Sequence, residues 1–170
     1  WGVLWAKGLR GRRESRMKEE ADAFFQGFKG HIFPESYALV EAVKQADYEP
    51  IMLTTAASEV VGLASEALGI EDCYATTCQV INGLYTGGIR TELHLPHGKE
   101  ELLKQLVEEK KADLKDCLAF GDSRGDIGML GAVGKPVALN PHEYLAGLAK
   151  RRGWRVMSKD DVIKKIAELL

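Results

Sequence analysis

The chain reads as an α/β protein, a mainly parallel sheet flanked by helices. Two observations predict this. Four short apolar runs, Pro50-Ile51-Met52-Leu53-Thr54, Cys117-Leu118-Ala119-Phe120, Pro136-Val137-Ala138-Leu139 and Trp154-Arg155-Val156-Met157, have the length and composition of strands buried on both faces. Each is followed by a stretch with helical periodicity, the alternation that generates parallel βαβ units.

Taken in order, residues Glu14 to Phe28 have the spacing of an amphipathic helix, with Met17, Ala21, Phe24, Phe25 and Phe28 on one face and Gly30 ending it. Pro34 opens a second helix, PESYALVEAVKQA, offering Tyr37, Val40, Ala42 and Val43 for burial. The first strand follows Asp47 and gives way near Ser58 to the helix EVVGLASEAL, which Gly69 stops. Between residues 73 and 95 the pattern changes. Asn82-Gly83 between apolar pairs predicts a β-hairpin, and Gly87-Gly88 a second turn. The helix KEELLKQLVEEKK comes after Gly98, and the three remaining strand–helix pairs complete the chain. The opening Gly2-Val3-Leu4-Trp5 reads either as an extra strand or as a helical start.

Composition narrows the class. The chain has 170 residues, the natural size of one domain, and a formal net charge of −2, so no basic surplus points to nucleic acid. The basic run Arg10, Arg12, Arg13, Arg16 and Lys18 is interleaved with Glu14, Glu19 and Glu20, as on a solvated helix face. No apolar run approaches the roughly 20 residues of a membrane helix, so no membrane partner is expected. The opening WGVLWAKGLRGRR does not have the layout of a signal peptide, because its basic residues follow its apolar part. Cys73, Cys78 and Cys117 lack metal-ligand spacing, and their odd number predicts a reduced, cytoplasmic setting.

In open α/β sheets ligands bind outside the carboxyl ends of the strands, so the residues there carry the chemistry. Thr54 and Thr55 end the first strand beside Ala56-Ala57 and a helix start. Their hydroxyls and the free helix N–H groups suit a phosphate oxygen, although helix capping uses the same residues. Lys99 opens a helix, where the dipole disfavours a cation unless it turns back toward an anion. The third strand end is the most specific: Gly121-Asp122-Ser123-Arg124-Gly125-Asp126 follows a buried strand directly and leads into Ile127, Met129 and Leu130. Asp122 is placed at the strand tip and Asp126 on the first turn of the next helix. Two hard carboxylates with positions left for water and substrate are what Mg²⁺ requires.

These residues resemble the haloacid dehalogenase superfamily, in its phosphoserine phosphatase-like branch. The resemblance rests on Thr55 in IMLTTAAS, Lys99 in PHGKEELL, and Gly-Asp-Ser-x-x-Asp over Gly121 to Asp126. FPESYALVEAVK, NGLYTGG and VGKPVALNP support it, and it covers roughly residues 9 to 157. It implies a Rossmann-like core over 31–170 in a single domain, with residues 1–30 as the remnant of a helical cap and its return helix. It also implies Mg²⁺ as cofactor, bound by Asp122 and Asp126, and a small phosphorylated substrate, phosphoserine first, held by Thr55, Thr54, Ser123 and Lys99.

The family's Asp-x-Asp-x-Thr/Val motif, which supplies the aspartate nucleophile, occurs nowhere in the chain, and the first, central strand that carries it is expected to be missing. Two expectations follow. The strands ending at Thr55 and Phe120 each keep an unpaired edge, which favours a homo-oligomer, most simply a dimer. Hydrolysis requires direct attack by water, with Lys99 neutralising the phosphoryl oxygens and His97 as general base, or attack by Asp122 or Asp126 itself. Two other functions fit the same residues: a catalytically inactive domain that binds phosphate, metal or a partner, and one part of a split phosphatase.

Overall fold

The computed structural model describes residues 2–91, 93–95 and 97–170. The chain falls into two compact units, the first running to Leu95 and the second from residue 96 to Leu170.

The first unit contains helices α1 (Gly2–Leu9), α2 (Glu14–Phe28) and α3 (Pro34–Gln45), then β1 (Ile51–Ala57), α4 (Ser58–Ala67), β2 (Asp72–Thr76), β3 (Cys78–Ile81) and β4 (Leu84–Ile89). β1 and β2 pair in parallel, and β3 and β4 form an antiparallel hairpin. The hairpin turns at Asn82 and Gly83, whose φ values of 51° and 75° match the left-handed pair that such turns need.

Of the two readings of residues 2–5 the helical one holds: α1 packs on β4, with Ala6 and Leu9 buried against Cys78 and Tyr85. Three expectations are corrected here. Gly87-Gly88 makes no turn but lies within β4. A Cβ at Gly87 would come within 3.3 Å of Arg10 Cβ and 3.6 Å of Lys7 Cα, so the glycine serves the close approach of the chain at the end of α1. The apolar face of α2 is only partly used. Ala21 and Phe25 are buried, whereas Phe24 and Phe28 are exposed and stack on each other at 5.6 Å. Lastly, β1 is not buried on both faces. Ile51 to Thr54 are half-buried and Thr55 and Ala56 exposed, because among the described residues β1 has a strand partner on one edge only. The basic run of α2 is a solvated face, with Lys18 paired to Glu14 at 2.8 Å and Arg16 to Glu20 at 2.9 Å.

The second unit is regular. α5 (Gly98–Glu109) leads to β5 (Leu118–Gly121), which passes through one 3-10 turn at Arg124–Asp126 into α6 (Ile127–Ala132). β6 (Lys135–Leu139), α7 (Glu143–Arg152), β7 (Arg155–Met157) and α8 (Lys159–Lys165) follow. The strands lie in the order β5-β6-β7, all parallel, as their βαβ connections require. The edge strand β7, like β1, is not buried on both faces as expected, since Arg155 and Val156 are exposed and only Met157 is buried. Leu130, Val137, Ala138, Leu145 and Ala149 form its most buried core. Among the described residues no helix is long and apolar enough to cross a membrane.

The turn into β6 is sterically closed. The Gly134 N–H donates to Leu114 O at 2.8 Å, and a Cβ on Gly134 would lie 1.9 Å from the backbone oxygen of Lys115. Gly134→Ala is expected to cost about 3 kcal/mol, at the upper end of ordinary overpacking, since the obstacle is backbone and not a flexible side chain. Urea unfolding measures it, and an unchanged midpoint would refute the tight turn.

Candidate active site

The site in the second unit is built around one buried carboxylate. β5 ends at Gly121, and the chain then turns so that the Asp126 side chain folds back over it. A Cβ at residue 121 would meet Asp126 Cβ at 2.5 Å, which is why glycine stands there. Asp126 is 4% exposed, and both of its oxygens are engaged. Oδ1 accepts from Lys99 Nζ at 2.6 Å. Oδ2 accepts from the Ser123 hydroxyl at 2.8 Å and from the backbone N–H groups of Ser123 and Asp122 at 3.0 and 3.2 Å. Burial alone would raise its pKa. The hydrogen bond and charge of Lys99, with help from Ser123, more than offset that and hold the carboxyl below its ordinary value.

Lys99 lies in the first turn of α5, and its side chain is 13% exposed. The unfavourable interaction of an ammonium with the helix N-terminus is offset by the Asp126 carboxylate. The ammonium thus turns back toward an anion, and that anion is the protein's own Asp126. An ammonium has three donors, so Lys99 keeps two beyond the one given to Asp126.

Asp122 contrasts with Asp126. It is exposed at the tip of β5, and among the described residues none pairs with its carboxylate. Its backbone is fixed at both ends: the N–H donates to Asp126, and the C=O accepts the His142 N–H at 2.9 Å, tying this loop to the one that precedes α7. Ser123 is half-buried, with its hydroxyl turned to Asp126.

His97 precedes α5 with φ 73°, and its side chain is 71% exposed, with Nδ1 3.4 Å from Glu100 Oε2. Glu100 also takes Lys104 Nζ at 2.5 Å, and its carboxyl is held low, first by that hydrogen bond. Sequence reasoning did not single out Glu100. Its spacings of three from His97 and four to Lys104 were the available signal. A Cβ on Gly128 would meet Glu100 Oε2 at 2.6 Å, so the bare glycine makes room for this carboxylate.

In the first unit, Thr54 and Thr55 lie inside β1, where the ladder to β2 shifts register between Leu53 and Ala57. The Thr54 hydroxyl accepts the Ala56 N–H at 3.1 Å, and the Thr55 C=O accepts the Thr76 hydroxyl at 2.8 Å. The exposed Thr55 side chain takes no part in these bonds, and among the described residues no side chain caps the start of α4.

A sequence model of the family described as haloacid dehalogenase-like hydrolase matches residues 3–131, a span that contains Thr54, Thr55, His97, Lys99, Asp122, Ser123 and Asp126. The chain belongs to the haloacid dehalogenase-like hydrolases. Within that family it is similar to a phosphoserine phosphatase of Mycobacterium tuberculosis, 31% identical over 105 residues, which are 62% of this chain and 34% of the relative. The chain spans about a third to a half of the length of the curated relatives it matches first. The haloacid dehalogenase-like fold recurs in a solved Bordetella pertussis protein of unknown function (TM-score 0.84, 23% identity, 93% of this chain and 73% of that one). It recurs also in a phospho-aspartyl intermediate analogue of phosphoserine phosphatase (TM-score 0.71, 18% identity, 95% of this chain and 74% of that one).

Proposed function

We propose that this haloacid dehalogenase-like chain forms the phosphate- and Mg²⁺-binding part of a phosphatase for small phosphate monoesters, phosphoserine being the first to test. The observation that carries this reading is the division of labour between two aspartates four residues apart. Asp126 is buried and saturated with donors, while Asp122 stands open at the carboxyl end of a parallel strand.

The donor set fits Mg²⁺. Among the described residues no protein group occupies the hard carboxylate oxygens of Asp122, and no group of three or more acidic, histidine or cysteine ligands forms, so the ion would draw its remaining ligands from water and substrate. A magnesium site that keeps most of its waters is made in this way. Instead of the expected shared ligation by both aspartates, Asp122 would hold the ion, and Asp126, whose two oxygens already accept from Lys99, Ser123 and the Asp122 N–H, would fix the loop that presents it. When bound, Mg²⁺ supplies positive charge to the phosphoryl oxygens. The chain's own part is separate. Lys99, held in place by Asp126, directs its remaining donors to a phosphate oxygen and offsets the charge that develops there. Thr55 and the uncapped first turn of α4 are donors of the kind a phosphate takes. His97, open to solvent, is the candidate to take a proton from an attacking water, because the chain has no Asp-x-Asp-x-Thr/Val string to supply the usual nucleophile.

Purified chain with Mg²⁺ is expected to release inorganic phosphate from O-phosphoserine. Activity that is absent without Mg²⁺ and restored by adding it supports the reading. Failure of any phosphomonoester to bind, with or without Mg²⁺, removes it.

The same reading includes association. Among the described residues β1 pairs only with β2, and β5 only with β6, so each presents a second edge of unpaired backbone groups. A homodimer that covers such an edge should give light scattering at twice the 18.7 kDa chain mass at micromolar concentration. A mass equal to one chain rules it out. Three free cysteines suit a reducing, cytoplasmic setting.

A further inference from the structure

Two residues beyond Asp122, the Arg124 guanidinium carbon lies 3.9 Å above the centre of the Tyr144 ring. The two residues come from different loops. Arg124 begins the turn that follows β5, and Tyr144 lies in the first turn of α7, after the loop that follows β6. β5 and β6 are parallel neighbours, so both loops sit at the carboxyl edge of the same sheet. The His142 N–H to Asp122 C=O bond joins them, and this fixes the ring beside the strand tip that carries Asp122.

Three features set this arginine apart from an ordinary surface cation. Its guanidinium rests on a ring, which restricts an otherwise mobile side chain and leaves the edge of the planar fork free to donate. Among the described residues no carboxylate pairs with it, even though Asp122 lies two residues before it and Glu143 immediately precedes Tyr144. Tyr144 is 48% exposed and Arg124 is exposed, so the guanidinium that rests on the ring is open to a ligand from solvent. An oriented, unpaired guanidinium beside a candidate phosphate site is suited to a second anion on the same ligand, since the fork matches the two oxygens of a carboxylate or phosphate.

We infer that Arg124, supported by Tyr144, is a specificity-determining residue that recognises a second acidic group on the phosphomonoester. The preferred ligands are then esters whose alcohol portion bears a carboxylate or another phosphate. Neutral alkyl phosphates lack that contact. This rests on the phosphate-site reading above, and deepens it by naming what the alcohol portion carries.

The test compares three esters by titration calorimetry in Mg²⁺: ethyl phosphate, phosphoglycolate and ethylene glycol bisphosphate. The first has no second acid, the second has a carboxylate and the third a phosphate. The whole chain is expected to bind at least one of the two diacids about tenfold more tightly than ethyl phosphate, the size of one charge-assisted contact. Arg124→Gln should abolish that preference while leaving ethyl phosphate affinity within about twofold. Tyr144→Leu should weaken the preference and Tyr144→Phe restore it, because the ring and not the hydroxyl holds the guanidinium. Whichever diacid responds to Arg124→Gln identifies the acid. Wild type that binds ethyl phosphate with no diacid preference, or a preference that survives Arg124→Gln, overturns this inference alone. Wild type that binds none of the three overturns the phosphate site as well.

Discussion

Asp126→Asn is expected to destabilise the chain by about 3 kcal/mol, the cost of removing one partner from a buried ion pair. The substitution preserves shape, so the loss is electrostatic. Lys99 Nζ lies 2.6 Å from Oδ1 with its side chain 13% exposed, and it would be left without its counter-charge. At Oδ2 three donors now share one carboxylate oxygen, and a neutral amide satisfies them less well. Urea denaturation checks the value, and an unchanged midpoint would falsify the description of Asp126 as the keystone of the loop. The effect also depends on pH. Because the folded carboxyl is held below its ordinary value of 3.8, Asp126 stabilises the fold fully above that value. The stabilisation fades as pH falls from there through the lower folded value, where folded and unfolded chains alike become protonated. The gap between wild type and Asp126→Asn should therefore be widest near neutral pH and close in acid. A double-mutant cycle with Lys99→Met should show strong coupling between the two sites.

The second unit was legible because its signals are local. An apolar run followed by Gly-Asp-Ser places a strand, a turn and a helix within ten residues, and the fold realises each of them. The same pattern located Asp122 at the tip; it placed Asp126 on the first turn of the next helix, whereas Asp126 closes the 3-10 turn just before α6. It did not separate their environments, because that depends on Lys99, 27 residues away in sequence, and on Gly121 lying beneath the Asp126 side chain. The role of Arg124 is hidden for a similar reason, since nothing in Gly-Asp-Ser-Arg-Gly-Asp announces a ring 20 residues later.

The first unit was read less well where two residue properties competed. Gly87-Gly88 has the composition of a turn, yet packing of the α1 end against β4 uses the same lack of a side chain. Asp72–Thr76 forms a strand without an apolar run to mark it, because parallel pairing to β1 decides its conformation. The aromatic stripe of α2 predicts a wider buried face than the helix has, since periodicity identifies a face and not the surface that covers it.

Asp122→Asn should have the opposite signature to Asp126→Asn: an unchanged fold and lost chemistry. Asp122 is exposed, its side chain has no partner among the described residues, and the bonds that fix its position run through its backbone N–H and C=O, which asparagine retains. Urea unfolding should therefore agree with wild type within about 0.5 kcal/mol, the usual range for a surface substitution. Phosphate release should fall at least about 100-fold, more than the loss typical of a group that only orients a metal ligand. Excess Mg²⁺ should recover part of it if weakened ion binding is the cause. The pair of variants distinguishes the functions open to this fold. A stable Asp122→Asn protein that still binds ethyl phosphate but releases none assigns Asp122 to the reaction. If wild type and variant bind alike and are alike inactive, the site is one of recognition without turnover, and the missing nucleophile has no substitute within this chain. Equal activity in both would mean that the open carboxylate at the tip of β5 has no part in hydrolysis, and the division of labour between the two aspartates would lose its functional meaning.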